Sequence, residues 1–158
     1  MQLKWRISHA RGYLGLGMVA EAEKELDQIP ENEAASVDVL ALRAVILQEQ
    51  KRWQPMQEVS GNLVKLQPDD PGWWIMWAYA ARRADSLTVA EKILREAEMI
   101  HPSDATIQFN LGCYACQRGD LTAARIHVNR AIALDERFRE TATTDSDLAP
   151  LREASATS

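Results

Sequence analysis

Small and large residues recur along most of the chain at a fixed spacing of 34 residues. The first column of small residues is Ala10, Ala44, Ala78 and Gly112. Three further columns keep the same register: Ala22, Met56, Ala90 and Ala124; Ile29, Leu63, Ala97 and Ala131; and the large residues Val19, Trp53, Leu87 and Leu121. Columns that hold one register without an insertion indicate an internal repeat, and a period of this length is typical of stacked helical units.

The apolar pattern within each repeat predicts two helices joined by a short turn. In the third repeat Asp70 is predicted to cap the first helix, with Pro71 at its first position, where the missing N–H costs nothing. In the fourth repeat Gly119 is predicted to end one helix and Asp120 to cap the next. One helix pair cannot bury its apolar stripe alone, so neighbouring pairs must stack.

This pattern resembles the tetratricopeptide repeat, whose signature is W-x2-L-G-x2-Y, then A-x3-F, A and P over about 34 residues. The signature is clearest in QFNLGCYACQRGDLTAARIHVNRAIALD and in WIMWAYAARRADSLTVAEKILREAEMIHP. The resemblance is to the small bacterial-type proteins of this family. It implies an all-α fold, a right-handed α-solenoid of about four helix-turn-helix units with a short C-terminal capping segment.

The predicted domain organisation is a solenoid over residues 3–138 followed by a cap. The four repeats are 3–36, 37–70, 71–104 and 105–138. After them, residues 139–152 are predicted to cover the last exposed repeat face together with Phe138, as a terminal cap must. Residues 153–158 are predicted to form a loose tail.

Charge and hydropathy exclude several kinds of partner. The formal net charge is −5 and no cluster of Lys and Arg occurs, which argues against nucleic acid and against an anionic membrane surface. The longest apolar run, Trp73 to Ala81, is well short of the roughly 20 residues that a membrane-spanning helix needs. The N-terminal stretch lacks the continuous apolar core of a secretory signal, so a cytoplasmic location is expected.

No arrangement of residues predicts catalysis. The sequence has no Ser/His/Asp grouping, paired carboxylates or phosphate-binding glycine loop in the required helix context, so we predict a protein that is not an enzyme, with no catalytic residues and no cofactor. Trp74 and Trp77 fall on packing columns, which favours the core over an aromatic cage for a cation.

The two cysteines, Cys113 and Cys116, are spaced C-x-x-C. Both are predicted to lie well inside a helix, whereas an activated thiol of a C-x-x-C pair lies at a helix N-terminus. A structural zinc site needs four ligands, and the chain has no second cysteine pair to supply them. A structural role is favoured and no metal site is predicted; reversible oxidation and metal binding are the alternatives.

In the resembling family, the first helix of each unit lines a concave groove that binds protein segments. Carried over position by position, the predicted groove residues are Lys4, Ile7, Arg11, Val45, Gln48, Ile75, Tyr79, Arg82, Phe109, Cys113 and Cys116. The middle of this surface is apolar, and Tyr79 and Phe109 are predicted to be its anchors. The alternative is that part of this surface is covered by the C-terminal tail of the chain itself or by another copy.

The sequence therefore predicts a non-catalytic module that binds a peptide or helix of a partner protein, or another copy of itself. The alternative is a secretion-type chaperone that holds an apolar client segment. A third hypothesis, a thiol-based sensor, depends on the reactivity of Cys113. The sequence does not name the partner.

Overall fold

The computed structural model describes residues 2–156, and within this range every regular element is helical. The helices are α1 Gln2–Gly15, α2 Val19–Asp27, α3 Glu31–Ala34, α4 Val37–Glu49, α5 Trp53–Leu66, α6 Pro71–Ala84, α7 Leu87–Ile100, α8 Ala105–Gln117, α9 Leu121–Leu134, α10 Phe138–Thr144 and α11 Ala149–Ala156, with a 3₁₀ turn, Ser146–Leu148, before α11. The prediction of an all-α fold is confirmed. No helix in the described part of the chain is both long enough and apolar enough to span a bilayer.

The chain divides into two compact units, which we call the N-terminal unit, ending at Asp85, and the C-terminal unit, beginning at Ser86. This boundary lies inside the predicted repeat 71–104, in the turn between α6 and α7. The N-terminal unit contains α1 to α6 and the C-terminal unit contains α7 to α11.

Helix starts are fixed by capping side chains that recur with the repeat. Ser36, Asp70 and Asp104 stand 34 residues apart. Their side-chain oxygens accept hydrogen bonds from backbone N–H groups in the first turns of α4, α6 and α8, at 3.4, 2.9 and 2.9 Å. Asp120 does the same for α9, accepting from Ala123 N at 3.0 Å. The predicted caps at Asp70 and Asp120 are confirmed, and each satisfies an N–H group that the helix itself leaves unpaired.

Three helices end at residues that share one position of the repeat and have a left-handed backbone conformation. Gly17, Lys51 and Gly119 have φ angles of 74°, 56° and 91° at the ends of α1, α4 and α8. In each case the next backbone N–H turns back to a carbonyl five residues earlier in the chain, as in Arg52 N to Leu47 O at 2.9 Å. This is the Schellman arrangement, and it confirms Gly119 as the end of its helix.

Replacing Lys51 with glycine should raise the free energy of unfolding by about 1 kcal/mol, because a residue with a Cβ is strained at a left-handed φ. Denaturant unfolding of the full chain measures the change. Asp85→Gly is the matched control, since Asp85 holds the same column position with a φ of −128°. There glycine only adds freedom to the unfolded chain, so stability should fall. Equal effects of the two substitutions would contradict this account.

The core of the N-terminal unit consists of two neighbouring clusters. The first joins α1, α2 and α4 and contains Ile7, Ala10, Ala22, Leu26, Ile29, Val39, Leu42 and Ile46. The second joins α4, α5 and α6 around Leu47, Met56 and Ala80, with Trp53, Met76 and Tyr79 packed against it. Small residues of the repeat columns, such as Ala10 and Ala22, are fully buried, which allows the helix backbones to approach closely.

In the C-terminal unit, α8 and α9 approach each other closely at Gly112 of α8. A Cβ at this position would lie 2.7 Å from Val128 Cγ2 and 3.2 Å from the carbonyl oxygen of Ala124, both on α9. Ala124 and Val128 are themselves buried. The absence of a side chain at Gly112 therefore permits the α8–α9 contact.

The prediction of a loose tail is wrong for residues 153–156, which continue α11; residues 157 and 158 lie outside the described range. Hydrogen bonds explain the order. The Arg152 guanidinium donates to the backbone carbonyls of Ala142 and Asp145, at 3.0 and 2.8 Å, and holds the start of α11 against the end of α10. Further along, the Ser155 hydroxyl donates to Leu151 O at 3.1 Å and accepts from Arg125 at 3.2 Å.

Candidate functional site

The predicted groove residues of the N-terminal unit differ in accessibility. Lys4, Arg11, Val45 and Gln48 are exposed, whereas Ile75, Tyr79 and Arg82 are partly buried and Ile7 is buried. Ile7 is thus a core residue in this structure, which disfavours its predicted place in the binding groove. Its side chain belongs to the cluster formed with α2 and α4, because both helices pack on the same side of α1.

Tyr79 lies in a small aromatic and cationic cluster. Its ring meets Trp53 edge to face, with 5.8 Å between centroids. The Arg83 guanidinium lies 3.4 Å from the Tyr79 centroid, and its Nη1 donates to the Tyr79 carbonyl at 3.0 Å. The guanidinium is attracted by the negative face of the ring, so it holds the tyrosine in one orientation. Sequence reasoning missed Arg83 because it lies one position beyond the predicted groove residue Arg82.

Charged and apolar groups share the surface formed by α1 and α4. Arg11 and Asp38 form an exposed ion pair with 3.6 Å between Arg11 Nη2 and Asp38 Oδ1. Exposed pairs of this kind add little stability, so both groups remain available to a binding partner. Val45 on α4 is 41% exposed although it is apolar.

The predicted groove residues of the C-terminal unit are covered by the chain itself. Phe109, Cys113 and Cys116 are only 4%, 4% and 2% exposed. Phe138, the first residue of α10, stacks on Phe109 with 4.7 Å between ring centroids. Leu148 is 1% exposed in the 3₁₀ turn, which packs against α8. These three predicted groove residues are therefore not accessible in the described conformation, in which the C-terminal part of the chain covers them.

Both cysteines are free thiols. Burial raises the pKa of the Cys116 thiol, and a hydrogen bond from the Leu151 backbone opposes this only in part. A raised pKa keeps the group protonated at neutral pH, and the protonated thiol is a poor nucleophile. The geometry thus supports a structural role for the pair while the cover is in place.

A group of possible metal ligands is present that the sequence did not suggest. Cys113 Sγ and the carboxylates of Asp145 and Asp147 lie within 4.8 Å of one another. Asp145 Oδ1 accepts a hydrogen bond from Asp147 N at 2.9 Å, so this carboxylate already serves as the cap of the 3₁₀ turn. The capping role accounts for its position without a metal ion.

A buried polar cluster surrounds Gln108 on α8, which stands in the repeat where Trp74 stands 34 residues earlier. The fully buried Gln108 amide donates to Glu98 at 2.7 Å and accepts from Arg130 at 3.3 Å, and its Oε1 lies 2.8 Å from His127 Nδ1. Burial lowers the pKa of His127, although the nearby Glu98 opposes this. An amide in a tryptophan position was the sequence signal for this cluster.

The tryptophans of α6 pack within the N-terminal unit. Trp74 is buried and its Nε1 donates to Pro68 O at 2.8 Å, which confirms its assignment to the core. Trp77 is partly buried, and its ring lies over Gly61, where a Cβ would be 3.3 Å away. Trp73 donates to the side chain of Gln67 at 2.9 Å. The rings of Trp74 and Trp77 also contact each other, with 6.0 Å between centroids, so all three tryptophans have packing or hydrogen-bond partners within the unit.

The repeated caps, helix pairs and close contacts of small residues define a protein with the tetratricopeptide-repeat fold, as the sequence predicts. Solved structures share it at low sequence identity. The chain is similar to the MamA protein, with a TM-score of 0.79 and 13% identity over 99% of this chain and 87% of that one. It is similar to TTC0263, a thermophilic TPR protein of Thermus thermophilus, with a TM-score of 0.69 and 18% identity over 98% and 82% of the two chains.

A third similar structure is YrrB, described as a TPR protein with an unusual peptide-binding site, with a TM-score of 0.68 and 10% identity over 92% of this chain and 80% of that one. No protein-family model and no curated protein matches the sequence.

Proposed function

We propose that this protein is a non-catalytic interaction module and that the accessible part of its binding surface lies on α1, α4 and α6 of the N-terminal unit. The observation that carries the proposal is the combination of exposed Val45 and partly exposed Tyr79 with the exposed polar groups of Arg11 and Gln48. The description of YrrB as a peptide-binding TPR protein supports the same general function for this fold.

The chemistry of this surface favours one class of partner. Val45 and the Tyr79 ring offer apolar contact, and an aromatic ring held by Arg83 loses little freedom on binding. Arg11 is exposed and can turn from Asp38 to a carboxylate of a partner. The surface therefore suits an extended or helical protein segment that presents an apolar side chain beside an acidic or amide group. The net charge of −5 supports a protein partner over nucleic acid.

Panning the immobilised protein against a displayed library of random peptides tests the proposal. Peptides enriched on the unmodified chain should bind Val45→Asp and Tyr79→Ala about tenfold more weakly, a loss of about 1.4 kcal/mol. The charge in Val45→Asp opposes apolar contact, and Tyr79→Ala removes the anchor. Trp5→Ala is the matched control, because Trp5 is an exposed aromatic residue of α1 outside the predicted groove.

Equal binding by the unmodified chain, Val45→Asp and Tyr79→Ala, all with unchanged far-UV spectra, would remove the site from this surface. If only Trp5→Ala lost peptide binding, the binding site would instead lie around Trp5. Sedimentation of the same variants tests whether this surface binds a second copy of the chain. A dimer formed through this surface should dissociate in Val45→Asp and persist in Trp5→Ala.

A further inference from the structure

The C-terminal segment, residues 138–156, covers the face of α8 that carries Phe109, Cys113 and Cys116. We propose that this segment is a removable internal occupant and that the uncovered face binds protein segments with the same arrangement of an aromatic side chain and a leucine. The inference rests on the proposed function, because it assumes that the protein binds peptides. It concerns a second surface, which lies in the C-terminal unit.

The segment contacts α8 in the manner of a bound peptide. Phe138 supplies an aromatic anchor, nearly parallel to Phe109 at an interplanar angle of 25°. Leu148 supplies an aliphatic anchor that is almost completely buried. Between them, the Gln117 side chain of α8 donates to the Asp147 backbone carbonyl at 2.8 Å. Two apolar anchors and a hydrogen bond to the main chain are the usual elements of peptide recognition.

The same contacts show why the segment can leave without unfolding α8. Helices α10 and α11 have 7 and 8 residues and neither contains a buried residue, although both lie against α9. Leu148 is therefore the one fully buried anchor of the segment, and Phe138 is only partly buried. Isolated helices of fewer than about 12 residues are marginal in water, so both helices depend on docking. By contrast, α8 packs closely on α9 at Gly112, in a contact that does not involve the segment.

Hydrogen bonds within the segment allow it to move as one piece. Arg152 joins α11 to the carbonyls of Ala142 and Asp145 inside the segment. Two hydrogen bonds to the body of the unit, from Gln117 and from Arg125 to Ser155, are exposed to water, and a further one joins the Leu151 backbone to the buried Cys116 thiol. Exposed hydrogen bonds exchange readily with water, so they resist opening only weakly.

The thiols of α8 report whether the segment is docked. Cys113 and Cys116 are covered in the described conformation, and burial raises the pKa of Cys116. Opening of the segment exposes both groups to solvent and to reagents. The rate of thiol modification in the full-length protein therefore measures the open population directly.

The experiment follows thiol modification of the full chain by a chromogenic disulfide reagent. Phe138→Ala with Leu148→Ala should react at least about tenfold faster than the unmodified chain, since both anchors are lost. A synthetic peptide of residues 138–156, added in trans, should slow the reaction of this variant again. The same peptide with both anchors replaced by alanine should have no effect. Thr144→Ala, at an exposed position of α10, is the matched control and should react at the unmodified rate.

Two results would overturn the inference. One is a folded double variant whose thiols react at the unmodified rate, and the other is a failure of the trans peptide to protect them. If the double variant loses its cooperative melting transition, hydrogen exchange of the unmodified protein decides. If the amides of α10 and α11 exchange together with those of α8, the segment is a fixed part of the unit and the inference is wrong. Earlier exchange of α10 and α11, in step with thiol modification, would support the inference.

These measurements use the C-terminal unit, whereas the panning experiment depends on Val45 and Tyr79 of the N-terminal unit. The two proposals can therefore fail separately.

Discussion

Replacing Gly112 with alanine should lower the free energy of unfolding by about 2 kcal/mol, the cost typical of overpacking. The new Cβ would lie 2.7 Å from Val128 Cγ2 and 3.2 Å from two backbone atoms of α9, Ala124 O and Val128 N. The valine methyl group can rotate away, but backbone atoms move only if the whole helix shifts. This cost exceeds the gain of up to about 1 kcal/mol that alanine brings to a helix interior. Denaturant unfolding measures the difference, provided that the free energy of unfolding falls with denaturant concentration at the same slope in both proteins.

Gly12→Ala is the matched control for this substitution. Gly12 also lies inside a helix, but nothing lies within 4 Å of the position that its Cβ would occupy. There the helix-forming preference of alanine acts alone, and stability should rise by about 0.5–1 kcal/mol. The same substitution should thus have opposite signs at the two glycines. A Gly112→Ala protein as stable as the unmodified chain would contradict the described contact between α8 and α9.

Replacing Gln108 with leucine should lower the free energy of unfolding by about 2 kcal/mol, because it removes the central partner of a buried polar cluster. The substitution keeps the volume of the side chain but leaves Glu98 and His127 without the amide that they contact at 2.7 and 2.8 Å. Glu98 keeps the Arg130 guanidinium at 3.5 Å, so most of this cost comes from the hydrogen bonds that these partly buried groups lose to Gln108. Thermal and denaturant unfolding of the full chain both report it.

The control for the second experiment is Gln54→Leu, at an exposed position of α5. A surface substitution of this kind is expected to stay within about 0.5 kcal/mol. If Gln108→Leu unfolds at the same denaturant concentration as the unmodified chain, the cluster contributes no net stability. In that case the hydrogen bonds of Gln108 in the folded chain would be no more favourable than the hydrogen bonds that the same groups make with water in the unfolded chain.

Most of the fold could be predicted because its signals are local. Caps such as Asp70 and Asp120 act within one turn of their own helices, so their positions in the sequence are enough to place the helix starts. The small residues at Ala10 and Gly112 mark close helix contacts through a period that any repeat of this kind must keep. Lys51 shows the limit of this reasoning, since a left-handed helix end is hard to recognise without glycine.

The candidate site was harder to predict because accessibility depends on distant parts of the chain. Phe109 and Cys113 are the repeat equivalents of Ile75 and Tyr79, so the periodicity cannot tell which of the two pairs is covered. What separates them is the C-terminal segment, whose Phe138 lies against Phe109. The sequence predicted a cap in this region and left open whether the C-terminal tail fills the groove, but it gave no sign of which residues of α8 the cap covers. The burial of Ile7 was missed for the same reason, since the resemblance gives a position along α1 but not the packing around it.

The way in which the helices pack has a consequence for the kinetics of folding. Within each unit most packed helices are neighbours in the chain, such as α1 with α2, α5 with α6 and α8 with α9. Helical proteins with such local topology fold on the order of microseconds to milliseconds, because little entropy is lost before contacts form. The docking of the C-terminal segment is different, since Gln117 and Asp147 are separated by 30 residues. Closing this longer loop costs more entropy. During refolding, the two cysteine side chains should therefore be among the last groups to lose contact with water.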